Sequence, residues 1–149
     1  MGNVAAPVDF NGIVMYRRSY RERDLLVKIL TDQIGPAMFY VRGAKKRGFK
    51  MAADILPFTH GHYIGTLNQH GLCYIKTASS TTQYMHIASD LQKSAYASYV
   101  LNLVDTAFDE GVPMGGWFGQ VATGISKIDQ GLDPQIISNI FEVQLLGRF

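Results

Sequence analysis

The apolar residues of this chain change their spacing near Thr82. Before that point they form short runs of β-forming residues separated by glycine-rich or charged turns, and after it they recur every three to four residues. The first spacing is typical of β-strands and the second of amphipathic helices. We therefore predict an α+β protein in which a β domain over residues 1–82 precedes an α-helical domain over residues 83–149.

Five strand-like runs lie in the first half, at residues 10–16, 25–31, 37–42, 60–67 and 72–78. Residues 17–24 are predicted as a polar, charged connection, and the Gly35-Pro36 pair marks a turn. Residues 51–58 are predicted as a short helix or an irregular crossing that ends at a proline. Five short strands with glycine-rich turns are typical of a small antiparallel barrel, most often an OB-fold. We predict a five-stranded antiparallel OB-fold β-barrel.

Three helices are predicted in the second half. The sequence Ser89-Asp90-Leu91-Gln92 has the form of a capping box with Ser89 as the N-cap, and residues spaced for one apolar helical face follow it. Residues 117–129 are a second amphipathic candidate, and Asp133 followed by proline begins a third helix. That helix reaches Phe149 without a stop signal, so we expect the natural protein to continue beyond it.

The distribution of charge favours a polyanion as partner. Residues 1–80 carry 11 Lys and Arg against 5 Asp and Glu, whereas residues 81–149 carry 3 against 7. A basic first half beside an acidic second half is typical of a protein with one nucleic-acid-binding face. No apolar run reaches the roughly 18 residues that span a bilayer, and residues 1–10 lack the pattern of a signal peptide. We expect a cytoplasmic protein without membrane association.

The cations of the first half lie in two connections between predicted strands. They are Arg17, Arg18, Arg21 and Arg23 in the first connection, and Arg42, Lys45, Lys46, Arg47 and Lys50 in the second. We predict that they neutralise DNA phosphates, with aromatic rings nearby on which bases stack. The candidate rings are Tyr20 and Phe49, with Phe39, Tyr16 and Tyr40 as further candidates, the last two being weaker because a strand aromatic more often belongs to the core.

No constellation of catalytic residues accompanies these cations. Gly43 and Gly48 have the separation of the glycines in a phosphate-binding P-loop, but Phe49 occupies the position of the essential lysine. His60 and His62 share one face of a strand without a nearby third ligand, so ordinary hydrogen-bonded histidines are favoured over a metal site.

The single cysteine, Cys73, excludes an internal disulfide and a four-cysteine zinc site, and we predict that it is a small buried hydrophobe. We therefore predict no enzyme, no cofactor and no metal within this chain. Two alternatives to DNA binding stay open: an RNA-binding OB-fold module, and a protein-interaction scaffold whose positive charge is incidental.

Several segments carry a family resemblance by their order and spacing. They are Gly12-Ile13-Val14, Arg23-Asp24-Leu25-Leu26-Val27, Val41-Arg42-Gly43-Ala44-Lys45-Lys46, Leu56-Pro57-Phe58, the run from Ala95 to Asp105, and Phe141-Glu142-Val143-Gln144-Leu145-Leu146. Together they resemble the bacterial recombination mediator family RecO over roughly residues 10–110 and again in the last helix.

The resemblance implies an OB-fold followed by a helical domain in a nucleoid-associated protein of recombinational DNA repair. It further implies binding of single- and double-stranded DNA and annealing of complementary strands. The implied partners are RecR and the single-stranded DNA-binding protein, with loading of RecA onto the coated DNA as the outcome. Many members carry a zinc-binding cysteine group in a later region, beyond the residues of this chain.

Overall fold

The computed structural model describes residues 6–109 and 111–146. The strands are β1 (Val8–Tyr20), β2 (Asp24–Thr31), β3 (Gly35–Val41), β4 (Thr59–Thr66) and β5 (Cys73–Gln83), and a single 3-10 turn covers Ala53–Ile55 between β3 and β4. The helices are α1 (Met85–Ser89), α2 (Leu91–Ala107), α3 (Trp117–Asp129) and α4 (Pro134–Leu146). A β half therefore precedes a helical half, as predicted.

The five strands close into a barrel in the order β1-β2-β3-β5-β4. This barrel and the helices that follow it confirm the predicted OB-fold architecture. The prediction that the barrel is purely antiparallel is wrong, because β3 and β5 are parallel through the pairs Phe39↔Cys73 and Tyr40↔Tyr74. Strand directions cannot alternate all the way around a closed ring with an odd number of strands, so at least one neighbouring pair must be parallel.

The prediction of a charged connection over residues 17–24 is also wrong. β1 continues to Tyr20 and pairs with β2 up to Asp24, which leaves a turn of three residues between the two strands. A register shift between Val14 and Tyr16 in β1 accompanies this extension. β2 is buried along its whole length and offers a complete row of backbone partners, so the exposed residues Arg17 and Arg18 join the sheet.

Other element limits differ from the predictions by smaller amounts. β3 begins at Gly35, so the predicted Gly-Pro turn is the first pair of residues of that strand, and Gly35 itself has a positive φ of 67°. β5 extends to Gln83, five residues beyond its predicted end. The short 3-10 turn confirms the predicted helical or irregular crossing between the third and fourth strands.

Two hydrophobic clusters organise the described part of the chain. Inside the barrel, the ring of Phe10 stacks between those of Phe39 and Tyr63, with centroid separations of 5.4 Å and 5.6 Å. The second cluster joins Ile13 and Leu30 of the barrel to the buried faces of α2, α3 and α4. The helices are therefore packed onto one side of the barrel.

The helix boundaries follow local capping. α2 begins after Asp90, whose Oδ1 accepts a hydrogen bond from the amide of Lys93 at 3.0 Å, so the predicted N-cap at Ser89 is wrong by one residue. Ser89 instead ends α1, a helix that the sequence did not predict, and its hydroxyl donates to the carbonyl of Met85.

The predicted limits of α3 are confirmed, and α4 begins as predicted after Asp133, whose Oδ1 accepts from the amide of Gln135 at 2.9 Å. The predicted end of α4 at Phe149 lies outside the described residues. Within residues 6–109 and 111–146, no helix has the length and apolar character needed to cross a membrane.

Candidate nucleic-acid interface

The loop that follows β3, residues 42–50, is here called the basic loop, and Asp24 fixes where it begins. The Asp24 carboxylate accepts the Tyr40 hydroxyl on Oδ2 at 2.5 Å and the Gly43 amide on Oδ1 at 2.8 Å. The amide of Lys45 adds a bond of 2.9 Å to the carbonyl of Arg23. One carboxylate at the start of β2 therefore ties the first residues of the basic loop to the β1–β2 turn.

These contacts also set the charge state of the two side chains. The hydrogen bonds from the Gly43 amide and the Tyr40 hydroxyl, followed by the nearby Arg21 and Arg42 guanidinium groups, lower the pKa of Asp24. The same hydrogen bond raises the pKa of Tyr40, because its hydroxyl donates to a carboxylate. Asp24 is therefore an anion at neutral pH, and Tyr40 keeps its proton.

The far end of the basic loop is held by the 3-10 turn over Ala53–Ile55. The Tyr63 hydroxyl donates to the Asp54 carbonyl, and the Thr81 hydroxyl donates to the Asp54 carboxylate, both at 2.6 Å. The Gln83 amide nitrogen donates to the carbonyl of Ala53 at 2.8 Å. Hydrogen bonds to the barrel thus fix both ends of the basic loop, and these contacts hold the backbone that carries its cations.

Four of the predicted cations surround one depression, here called the basic cleft. Arg42, Lys46, Arg47 and Lys50 line a space of about 690 Å³ together with Lys76 of β5. All five side chains are exposed. Lys76 is missing from the predicted set because it lies on a strand far along the sequence from the basic loop.

Three further predicted cations lie on the other side of the basic loop, in what we call the strand cleft. Arg17 and Arg18 of β1 line this space of about 500 Å³ together with Lys45. The Nζ of Lys45 donates to the Ser19 hydroxyl at 3.2 Å, which holds this lysine against the strand. The structure therefore separates Lys45 from Lys46 and Arg47, which the sequence placed in one group.

A third depression, the aromatic cleft, lies beside the basic cleft. Its space of about 710 Å³ is lined by Arg21, Asp24, Tyr40, Val41, Arg42, Phe49, Met51, Tyr74 and Ile75. Arg21 also lies over the ring of Tyr20, with its guanidinium carbon 5.2 Å from the ring centroid. Arg23 is exposed in the β1–β2 turn and lines none of the three clefts.

The aromatic candidates differ in accessibility. Tyr20, Tyr40 and Tyr74 form a continuous row, with ring centroids 5.6 Å apart for the first pair and 6.2 Å for the second. Tyr74 is 47% exposed and was missed by the sequence, whereas Phe49 is partly buried and lines two of the clefts. Phe39 is fully buried in the barrel, so the suggestion that it offers a stacking face is wrong.

One sequence signal could have identified both missed residues. Tyr74 and Lys76 are exposed on β5 and follow Cys73, which is fully buried. Alternation along a strand places such residues on its outer face. Their proximity to the basic loop depends on the parallel pairing of β5 with β3, which the sequence did not predict.

The two histidines of β4 have separate partners. His60 Nδ1 lies 3.4 Å from the Tyr84 hydroxyl, and burial lowers the pKa of His60. The His62 ring contacts the side chains of Asn11 and Asp9 at 3.2 Å and 3.3 Å. Across the described part of the chain, no group of three or more His, Cys, Asp or Glu is arranged to hold a metal ion. Cys73 is buried as predicted.

The fold and the clefts define an OB-fold protein with a cationic, aromatic-rich barrel face and a helical part packed on another side. Comparison with known families gives the particular family. The family described as "Recombination protein O N terminal" matches residues 6–84, and the one described as "Recombination protein O C terminal" matches residues 88–149. The chain belongs to the recombination protein O family.

Curated relatives agree with this assignment. The chain is 64% identical over 140 residues to the DNA repair protein RecO of Limosilactobacillus reuteri. The matched region covers 94% of this chain and 54% of the relative. It is 58% identical over 140 residues to the protein of the same name from Limosilactobacillus fermentum, covering 94% and 52% of the two chains. The corresponding protein of Pediococcus pentosaceus is 48% identical over 147 residues, covering 99% and 58%. The chain thus spans about half the length of the curated relatives it matches.

Proposed function

We propose that this chain is the DNA-binding and strand-annealing part of a recombination protein O, and that it acts in DNA repair without catalysing a reaction of its own. The observation that carries the proposal is the basic cleft, where cations from the basic loop and from β5 face one space. None of the described residues that line this cleft is acidic. A concave surface with one sign of charge attracts a polyanion and releases the counterions bound to it.

The position of the basic loop between two cationic clefts suggests how annealing would proceed. Lys46 and Arg47 face the basic cleft, and Lys45 faces the strand cleft on the other side. One phosphate backbone in each cleft would bring two strands to either side of a single loop. Neutralisation of the phosphates lowers the repulsion between the strands, which raises the chance that complementary bases meet. This process needs neither a cofactor nor ATP.

The partners of the whole protein are part of the same proposal. Its substrates would be single- and double-stranded DNA, and it would work with RecR to load RecA onto DNA that is coated by the single-stranded DNA-binding protein. Support for these partners comes from membership of the family. These partners are proposed for the whole protein, because the chain covers only 54% and 52% of the two Limosilactobacillus relatives.

The proposal is tested by removing two cations from the basic loop. The double variant Lys46→Ala/Arg47→Ala is compared with Lys93→Ala/Lys127→Ala, which removes the same charge from α2 and α3. Binding of a labelled single-stranded oligonucleotide is measured over a series of salt concentrations. Each lost phosphate contact on a single strand is expected to reduce the slope of log affinity against log salt by about 0.7, or about 1.4 for both.

The outcome separates the function from its alternatives. A reduced slope and slower annealing of complementary oligonucleotides for the loop variant, with both unchanged for the helix variant, are the expected results. Equal slopes for the wild type and the loop variant would contradict a role of this loop in DNA binding. Preferential binding of a matched RNA oligonucleotide in competition would favour an RNA-binding module instead.

A further inference from the structure

We propose that the aromatic cleft holds an unpaired nucleobase of a single strand whose phosphates lie in the basic cleft. The inference rests on the proposed function and deepens it, since it names the part of the DNA that each cleft would contact. Phosphate contacts fix a nucleic acid in place but do not distinguish single strands from duplexes, whereas a base site does.

The walls of the aromatic cleft have the chemistry of a base site. Tyr40 and Tyr74 are paired across β3 and β5 and keep their rings 6.2 Å apart at an angle of 55°. Phe49 and Met51 close the cleft from the side of the basic loop. Flat aromatic rings bind bases through stacking, which tolerates any sequence because every base has a π-face. A free inorganic anion has no π-face and cannot stack on these rings.

The charges around the cleft suit a nucleotide better than a purely apolar ligand. Arg21 and Arg42 lie among its lining residues, and Asp24 lies beside Tyr40 as a carboxylate already bound by two donors. The negative charge of Asp24 disfavours a phosphate group next to it. A neutral base is therefore the part of a nucleotide that fits beside Tyr40, with the phosphates nearer the arginines.

The basic cleft and the aromatic cleft are contiguous, so one strand can place its phosphates in the first and a base in the second. Arg42, Phe49 and Met51 line both the basic cleft and the aromatic cleft. A strand can therefore pass from one to the other with its backbone beside Arg42. A base inside a duplex is stacked and paired, so only an unpaired base can enter. The aromatic cleft would thus give the protein a preference for single-stranded over double-stranded DNA.

The test uses substitutions at Tyr74, whose side chain is 47% exposed on β5 and lies beside the ring of Tyr40. Tyr74→Ala removes the ring, Tyr74→Phe keeps it, and Tyr16→Ala removes another exposed tyrosine of the barrel that lines none of the three clefts. Affinity is measured for a single-stranded oligonucleotide and for its duplex. Circular dichroism checks that each variant is folded. A second readout is the fluorescence of 2-aminopurine placed within the single strand, which falls when this base stacks on an aromatic ring.

Base–aromatic stacking is worth roughly 5-fold to 150-fold in affinity for each base. We therefore expect Tyr74→Ala to lose about that factor on the single strand and much less on the duplex, with an unchanged salt slope. Tyr74→Phe and Tyr16→Ala should bind like the wild type. The fluorescence of 2-aminopurine should fall on binding to the wild type and to these two variants, because all three have an aromatic ring at position 74.

The failure of this inference is distinguishable from failure of the proposed function. Salt-dependent DNA binding by the wild type, with equal single-strand affinity of Tyr74→Ala and no quenching of 2-aminopurine, would overturn the base site and leave the phosphate-binding clefts intact. A wild type that binds neither DNA form at low salt would overturn both proposals.

Discussion

The hydroxyl of Tyr63 is expected to stabilise the protein by holding the 3-10 turn that follows the basic loop. Its ring is fully buried against Phe10, and its hydroxyl donates to the Asp54 carbonyl at 2.6 Å. Burial, with the charge of Asp54 as a second cause, raises the pKa of Tyr63, so the proton needed for this bond is present at all physiological pH values. Tyr63→Phe keeps the ring and removes only the donor.

The size of the effect follows from these contacts. Loss of one hydrogen bond costs about 0.5–1.5 kcal/mol in the free energy of unfolding. Tyr63→Ala, which also leaves a cavity among the stacked rings, is expected to cost about 3–5 kcal/mol. For a chain of this size each kcal/mol lowers the melting temperature by roughly 2–4 °C. Urea titration monitored by circular dichroism measures the midpoint and slope for each variant.

Tyr16→Phe is the matched control, since Tyr16 is 40% exposed and its substitution is expected to change stability by less than about 0.5 kcal/mol. The reasoning would be refuted if Tyr63→Phe changed the urea midpoint no more than Tyr16→Phe. Because both variants keep every cation, neither should alter the salt slope of DNA binding.

Four further substitutions test other contacts. The pKa of Asp24 is lowered in the folded state, so its stabilisation is complete above its ordinary pKa of 3.8 and is lost as pH falls through the lower folded value. Asp24→Asn should therefore lower the melting temperature at pH 7, and the difference from the wild type should shrink in scans below pH 4. On α3, a Cβ at Gly124 would lie 2.4 Å from Cε2 of Phe141, whereas one at Gly119 would meet nothing within 4 Å. Gly119→Ala should stabilise by up to about 1 kcal/mol in urea titrations, whereas overpacking of about 1–3 kcal/mol should cancel or reverse that gain in Gly124→Ala. Asp129→Asn weakens the acceptor for two amides at the start of α1 and should lower the melting temperature, and an unchanged value would contradict that role.

The sequence was sufficient to predict the elements whose pattern is local. The apolar stripe of α3 is visible in its own segment, and the limits of this helix agree with the prediction. The extension of β1 through Arg17 and Arg18 could not be seen in the same way. Exposed, charged residues join a strand there only because the wholly buried β2 supplies partners for their backbone groups.

The sequence predicted the cations of the candidate site but not how they are arranged around the clefts. The basic loop stands out in the sequence because two glycines bracket three consecutive cations. Its division between two clefts depends on the anchor at Asp24, and Tyr74 and Lys76 join it only through the parallel contact of β5 with β3. Such contacts link residues that are far apart in the chain, and a periodic pattern within one segment carries no information about them.

The binding of DNA by the cationic barrel face is tested most directly with the unmodified chain. Fluorescence anisotropy of a labelled oligonucleotide, single- or double-stranded, is followed during titration with the protein at several salt concentrations. Five cations line the basic cleft. If each contacts one phosphate of a single strand, log affinity should fall linearly with log salt with a slope of about −3.5. Binding that does not depend on salt, or no binding at low salt, would contradict the assignment of this face to DNA.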